Sequence, residues 1–117
     1  MHRILYVLWF AACASTPTGS SCPTAPPTYD NFGRQFMASY CTGCHSANAT
    51  DRHGAPTSQN FDTEAEIVLH AQAIDVEAAA GPNATNTSMP ALDGPVHAAP
   101  PYAERATLGQ YLACMQR

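Results

Sequence analysis

A chain of 117 residues with only 12% charged side chains has room for one domain and no more. It contains no lysine, and from residue 13 onward 4 arginines face 9 acidic side chains, a net charge of −5. That balance excludes nucleic acid as a partner, because phosphate binding needs clustered Lys/Arg.

Apolar residues reach 45%, but alanine inflates the share, and Leu, Ile, Val and Phe are sparse for this length. A core this thin is either partly disordered or built around something other than side chains. The chain opens on basic Met1-His2-Arg3 and an apolar run, Ile4 to Ala12. That run is far shorter than the ~20 residues of a membrane-spanning helix and has the layout of a secretory signal, residues 1–12. Phe10-Ala11-Ala12-Cys13 resembles the lipobox of bacterial lipoproteins, in which the Cys is lipidated and cleavage falls before it. The resemblance implies an exported protein, in the periplasm or on the outer surface, anchored to a membrane by lipid on Cys13. Ordinary cleavage nearby would instead leave that thiol free. Residues 13–27 are small, polar and Pro-rich, the composition of a tether. Export also means an oxidising compartment, where spare cysteines pair.

From Thr28 the pattern changes. Thr28 can cap a helix whose apolar residues Phe32, Phe36 and Tyr40 recur every fourth position. This helix runs into Cys41-Thr42-Gly43-Cys44-His45, after which the chain is polar and turn-rich to Asn60. Thr63-Glu64-Ala65-Glu66 reads as a capping box for a helix carrying Ile67, His70, Ala71 and Ile74, closed by Gly81-Pro82 with the glycine left-handed. Residues 82–100 lack periodicity and hold Met89-Pro90. Pro101 opens a last helix with the stripe Leu108, Tyr111, Leu112 and Met115. The expected fold class is all-α, with three main helices and long loops.

Cys-x-x-Cys serves zinc coordination, thiol–disulfide exchange or covalent haem attachment. Zinc needs four ligands, and here Cys22 and Cys114 are isolated and the histidines scattered. Disulfide exchange expects a βαβ setting, which is missing. His45 directs the choice. Cys41 and Cys44 have the spacing for two thioether bonds, and His45 supplies an imidazole for the iron, the signature of one haem c.

On these residues the stretch 28–116 resembles class I cytochrome c domains. Gly33 stands eight residues before Cys41, where those domains keep a glycine for a close crossing with the last helix. Their aromatic stands four residues before that Cys; here Phe36 is five before and Met37 four. Leu108-Gly109-Gln110-Tyr111-Leu112 is similar to their C-terminal helix. The resemblance implies a cytochrome c-like fold over 28–117, with the Pro56 carbonyl accepting the second His45 N–H. It implies Met89, 44 residues beyond His45, as sixth iron ligand. A soft thioether there favours ferrous iron and a high potential. His70 and His97 are the competing ligands, His53 reads as solvated, and Met37 and Met115 read as gap-fillers. With haem on Cys41 and Cys44 and lipid on Cys13, Cys22 and Cys114 remain to form a disulfide.

The expected function is electron carriage by a monomer rather than enzymatic catalysis. A haem enzyme subunit or a gas or redox sensor would instead need a displaceable sixth ligand. Arg52 is a candidate propionate donor, because Trp9 leaves with the signal and no other Trp exists. The expected partners are redox proteins with a basic or apolar docking patch, since Asp51 and Asp93 leave the haem rim without positive charge.

Overall fold

The computed structural model describes residues 16–116. The signal segment and Cys13 lie outside the described residues. Among those residues the regular structure is helical, with one isolated β-bridge between Ala80 and Thr85 and no strand. The fold class is all-α. No described helix is long and apolar enough to cross a membrane.

Thr28 caps the first helix as expected. Its hydroxyl accepts from the Asn31 N–H at 3.1 Å, and Asn31 Oδ1 accepts the Thr28 N–H at 2.7 Å. The first turn, Tyr29–Gly33, is a wide π turn in which the Gly33 N–H reaches the Thr28 carbonyl. Helix α1 continues from it over Arg34–Tyr40. Phe32, Phe36 and Tyr40 stack along one side, at 5.5 and 4.9 Å between ring centroids. Phe36 and Met37 are both buried in the core.

Thr63 caps the next helix, its hydroxyl accepting from the Glu66 N–H. The Glu66 carboxylate accepts from that hydroxyl rather than from the Thr63 N–H, so only half of the expected capping box forms. The helix it opens is not continuous. Helix α2, Glu64–Leu69, ends at His70, and α3, Ala71–Ala78, restarts beyond it. His70 leaves helical geometry (φ −108°, ψ 14°) with its ring edge-on to Phe61 at 5.6 Å. Helix α3 then stops at extended Ala79, two residues before Gly81, and Gly81 is not left-handed.

Helix α4, Tyr102–Cys114, buries Leu108, Tyr111 and Leu112 against Phe36, Met37, Ile67 and Ile74. Burying each aliphatic side chain contributes about 1.5–3 kcal/mol. Helix α4 crosses the N-terminal helix where Gly33 has no side chain. A Cβ there would lie 2.5 Å from the Tyr111 ring carbon Cζ and its hydroxyl. Gly33→Ala is therefore expected to lower stability by about 1–3 kcal/mol, read as a reduced urea midpoint with an unchanged slope. A normal midpoint would mean that the crossing relaxes freely.

Within the stretch 13–27 read as a tether, the described residues 16–22 are packed rather than free. Residues 16–22 form a strap packed on the domain. Thr16 and Thr18 are buried, and the Thr18 N–H and hydroxyl each donate to the fully buried Asp75 carboxylate at 2.8 Å. Gly109 makes room for the strap on α4, since a Cβ there would meet Ser20 Oγ and the Ala80 carbonyl. Cys22 and Cys114 are joined by the expected disulfide, with Cα atoms 4.7 Å apart. That bond closes the strap onto the end of α4.

Candidate haem-attachment site

Helix α1 delivers Cys41 at its C-terminus and the chain then turns back on itself. The Cys44 and His45 N–H groups both donate to the Cys41 carbonyl, at 3.1 and 2.9 Å. This tight turn gathers the two thiols and the imidazole within five residues. Gly43 lies under Pro95, whose Cγ would be 2.5 Å from a Cβ at that position. The loop carrying Pro95 thus covers the motif.

With Cys22 and Cys114 paired, Cys41 and Cys44 are the free cysteines among the described residues. Burial pushes the Cys41 thiol up to about 12, with the Arg105 charge opposing the shift. Burial, then the carboxylates of Asp51 and Asp93, raise the Cys44 thiol as well. Disulfide-exchange motifs show the opposite behaviour, a lowered thiol that supplies the attacking thiolate. Nor do three His, Cys, Asp or Glu side chains converge as metal ligands among the described residues. Two further donors for a structural zinc are therefore missing around Cys41 and Cys44.

His45 is held from three directions. Its carbonyl accepts the Phe61 N–H at 2.9 Å, its ring stacks on the Phe61 ring at 4.6 Å, and Nδ1 lies 3.0 Å from the Gln59 carbonyl. A proton on Nδ1 donates to Gln59 and leaves the Nε2 lone pair for a metal. Burial lowers the His45 pKa, against the Gln59 bond that raises it, so the ring stays neutral to lower pH. The expected acceptor, Pro56, is not the partner. Its carbonyl instead accepts from Arg52 Nη2.

Arg52 does not fit the role of propionate donor either. Its Nε donates to Ala55, Nη1 to the Ser46 carbonyl and Asn60 Oδ1, and Nη2 to the Pro56 and Gln59 carbonyls. All five N–H groups of a guanidinium are thereby engaged within the loop.

Met89 lies in the loop between α3 and α4 and is 38% exposed. Its backbone is fixed at both groups: the N–H donates to Glu77 at 2.9 Å, and the carbonyl accepts from Arg105 Nη1 at 2.8 Å. Buried Arg105 also donates to the Ala78 and Asn86 carbonyls. Its charge also opposes the rise of the Cys41 thiol. Met37 is a core residue and Met115 packs against the core, as expected of gap-fillers. His97 and His53 are exposed, while half-buried His70 touches Phe61. A cleft of about 320 Å³ lined by Pro90, Leu92, Tyr102 and Arg105 opens beside the Met89 loop. A second, of about 360 Å³, lies at the disulfide end against Cys22, Tyr29 and Met115.

Gln59, Phe61 and Arg105 are the site residues that sequence reasoning missed. Gln59 acts through its backbone, which carries no side-chain signal. Phe61 and Arg105 could have been flagged, one as a lone aromatic in a polar loop and the other as a charge on the buried side of α4.

No family model, curated protein or solved structure matches this chain.

Proposed function

We propose that the chain is a mono-haem c-type cytochrome with a class I cytochrome c-like fold, acting as an electron carrier. The observation that supports this best is the Cys41–His45 turn. Two unpaired thiols separated by two residues precede an imidazole whose Nδ1 is anchored, whose face is stacked and whose Nε2 lone pair is free. These residues fit a covalently attached haem, which Cys41 and Cys44 would hold through thioethers and whose iron His45 and Met89 would ligate. Haem iron supplies the one-electron ferrous–ferric chemistry that no side chain here provides.

The chain's own part is to fix and shield. The Phe61 ring and the Gln59 carbonyl set the orientation and tautomer of His45. Arg105 holds the Met89 backbone, which favours a filled sixth position and electron carriage over an enzyme or sensor with a displaceable ligand. Lipidation of Cys13 would place the protein at a membrane facing the periplasm or the outside. The test is an absorption spectrum of protein matured in an export-competent host, ferric and ferrous, with haem staining after denaturing electrophoresis. Haem that stays with the denatured chain supports the reading. Colourless protein from a host that matures other c-type cytochromes overturns it, and ready binding of carbon monoxide or cyanide would favour the sensor or enzyme class.

The charge around the site bears on partners. Asp51 and Asp93 are exposed and lie close enough to Cys44 to raise its thiol. A redox partner with a basic patch is the complement of that flank. Electron transfer to a lysine-rich partner is therefore expected to slow as salt rises from roughly 10 to 300 mM, while an acidic partner shows no slowing. Stopped-flow reduction of each partner measures this, and equal, salt-independent rates would remove charge as the guide.

A further inference from the structure

We propose that Arg52 is a positioning residue for His45, holding the ring's acceptor carbonyl and drawing electron density from it, and so biasing a bound haem toward the ferrous state. The inference rests on the haem reading and deepens it. Residues 46–60 contain no helix or strand, yet their last part must present the Gln59 carbonyl to the His45 ring. The Arg52 fork supplies the missing framework. It reaches Ser46, the residue after His45, and Ala55, Pro56, Gln59 and Asn60 on the returning limb. Only a planar guanidinium offers five donors in this geometry, and a lysine offers three from a single point.

The shared atom is the Gln59 oxygen, which lies 3.0 Å from His45 Nδ1 and 3.2 Å from Arg52 Nη2. A carbonyl has two lone pairs, and one of them here serves a cation. The charge-assisted bond is the stronger, so it makes the oxygen a poorer acceptor for the imidazole N–H. A weaker hydrogen bond at Nδ1 leaves Nε2 less basic, since such partners raise the donor strength of a ligating imidazole. A less basic axial ligand stabilises ferric iron less. Arg52 thus raises the potential through an atom it shares with His45, without touching the iron or the haem.

The test compares Arg52→Gln and Arg52→Lys with the wild-type holoprotein. Two readouts are taken: the midpoint potential, and the His45 Nδ1–H proton resonance of the ferrous form. For Arg52→Gln the ferrous-to-ferric ratio at a fixed solution poise is expected to fall about tenfold, ~59 mV for a one-electron couple. The Nδ1–H resonance should move downfield as its bond to Gln59 strengthens. Arg52→Lys should fall between. An unmoved Nδ1–H resonance overturns the inference even if the potential shifts, because the charge would then act elsewhere. An unmoved potential with only a lower melting temperature overturns it too, leaving Arg52 a loop staple. Failure of both variants to take up haem has the same meaning. Wild-type protein without covalent haem would overturn the functional reading itself, so the two failures are told apart before any variant is made.

Discussion

Replacing Cys41 and Cys44 together by alanine should abolish covalent haem. Haem stain of the denatured chain is expected to fall from full intensity to background, while either single variant keeps one thioether and a weakened signal. The prediction follows from the pairing of the other described cysteines. Cys22 and Cys114 are consumed in a disulfide, so the motif thiols are the free ones among the described residues. His45 should be separable from attachment: His45→Ala leaves both thiols in place and disturbs the iron spectrum instead. The global fold should also suffer in the double variant, because a core this poor in aliphatic side chains would lose its largest buried group. Full stain in the double variant would place the haem elsewhere.

The second large effect concerns Met89. Met89→Ala should remove the spectral signature of sulfur–iron ligation and lower the potential by on the order of 0.1–0.3 V, within the ~0.8 V that axial ligands command. Loss of a soft thioether removes the preference for ferrous iron. The backbone around residue 89 should survive the change, since its anchors, Glu77 and Arg105, bond to main-chain atoms. A lowered potential with unchanged thermal stability is the expected combination. An unchanged spectrum would point to His70 or His97, and half-buried His70 is already in contact with the Phe61 ring that stacks on His45.

How much of this could be read beforehand depended on the range of the interaction. Caps are local, and Thr28 and Thr63 were legible because cap and capped N–H lie three residues apart. The α4 stripe of Leu108, Tyr111 and Leu112 was legible by helical period. The Cys22–Cys114 pairing followed from arithmetic once the motif thiols and Cys13 were both set aside. The break at His70 was not, because apolar positions continue through it and nothing in the local sequence marks the residue whose ring meets Phe61. The strap was missed for a similar reason. Composition marks Thr16 to Ser20 as polar linker, whereas a carboxylate 57 residues away turns Thr18 into a buried anchor. At the candidate site the Cys41–His45 motif stood out in the sequence, whereas the Phe61 and Arg105 side chains and the Gln59 carbonyl did not. Choosing Gln59 over Pro56 requires knowing where the loop returns, and Arg52 decides that with bonds to five groups.

The strap has a consequence for where such a protein can work. Between Cys13 and buried Thr16 there are three Cα-to-Cα steps, a reach of at most about 11 Å. A molecule tied at Cys13 would have almost no leash. It would lie moored against the lipid headgroups with the Thr18–Asp75 corner nearest the bilayer, turning about that corner rather than ranging through the space beyond. Electrons would then be exchanged within a shallow layer at the membrane face, and partners would have to come down to it. Inserting a flexible segment of about ten residues between Ala14 and Thr16 would lengthen the leash without touching the domain. A changed rate with membrane-bound partners alone, and not with soluble ones, would show that closeness to the membrane sets its working range.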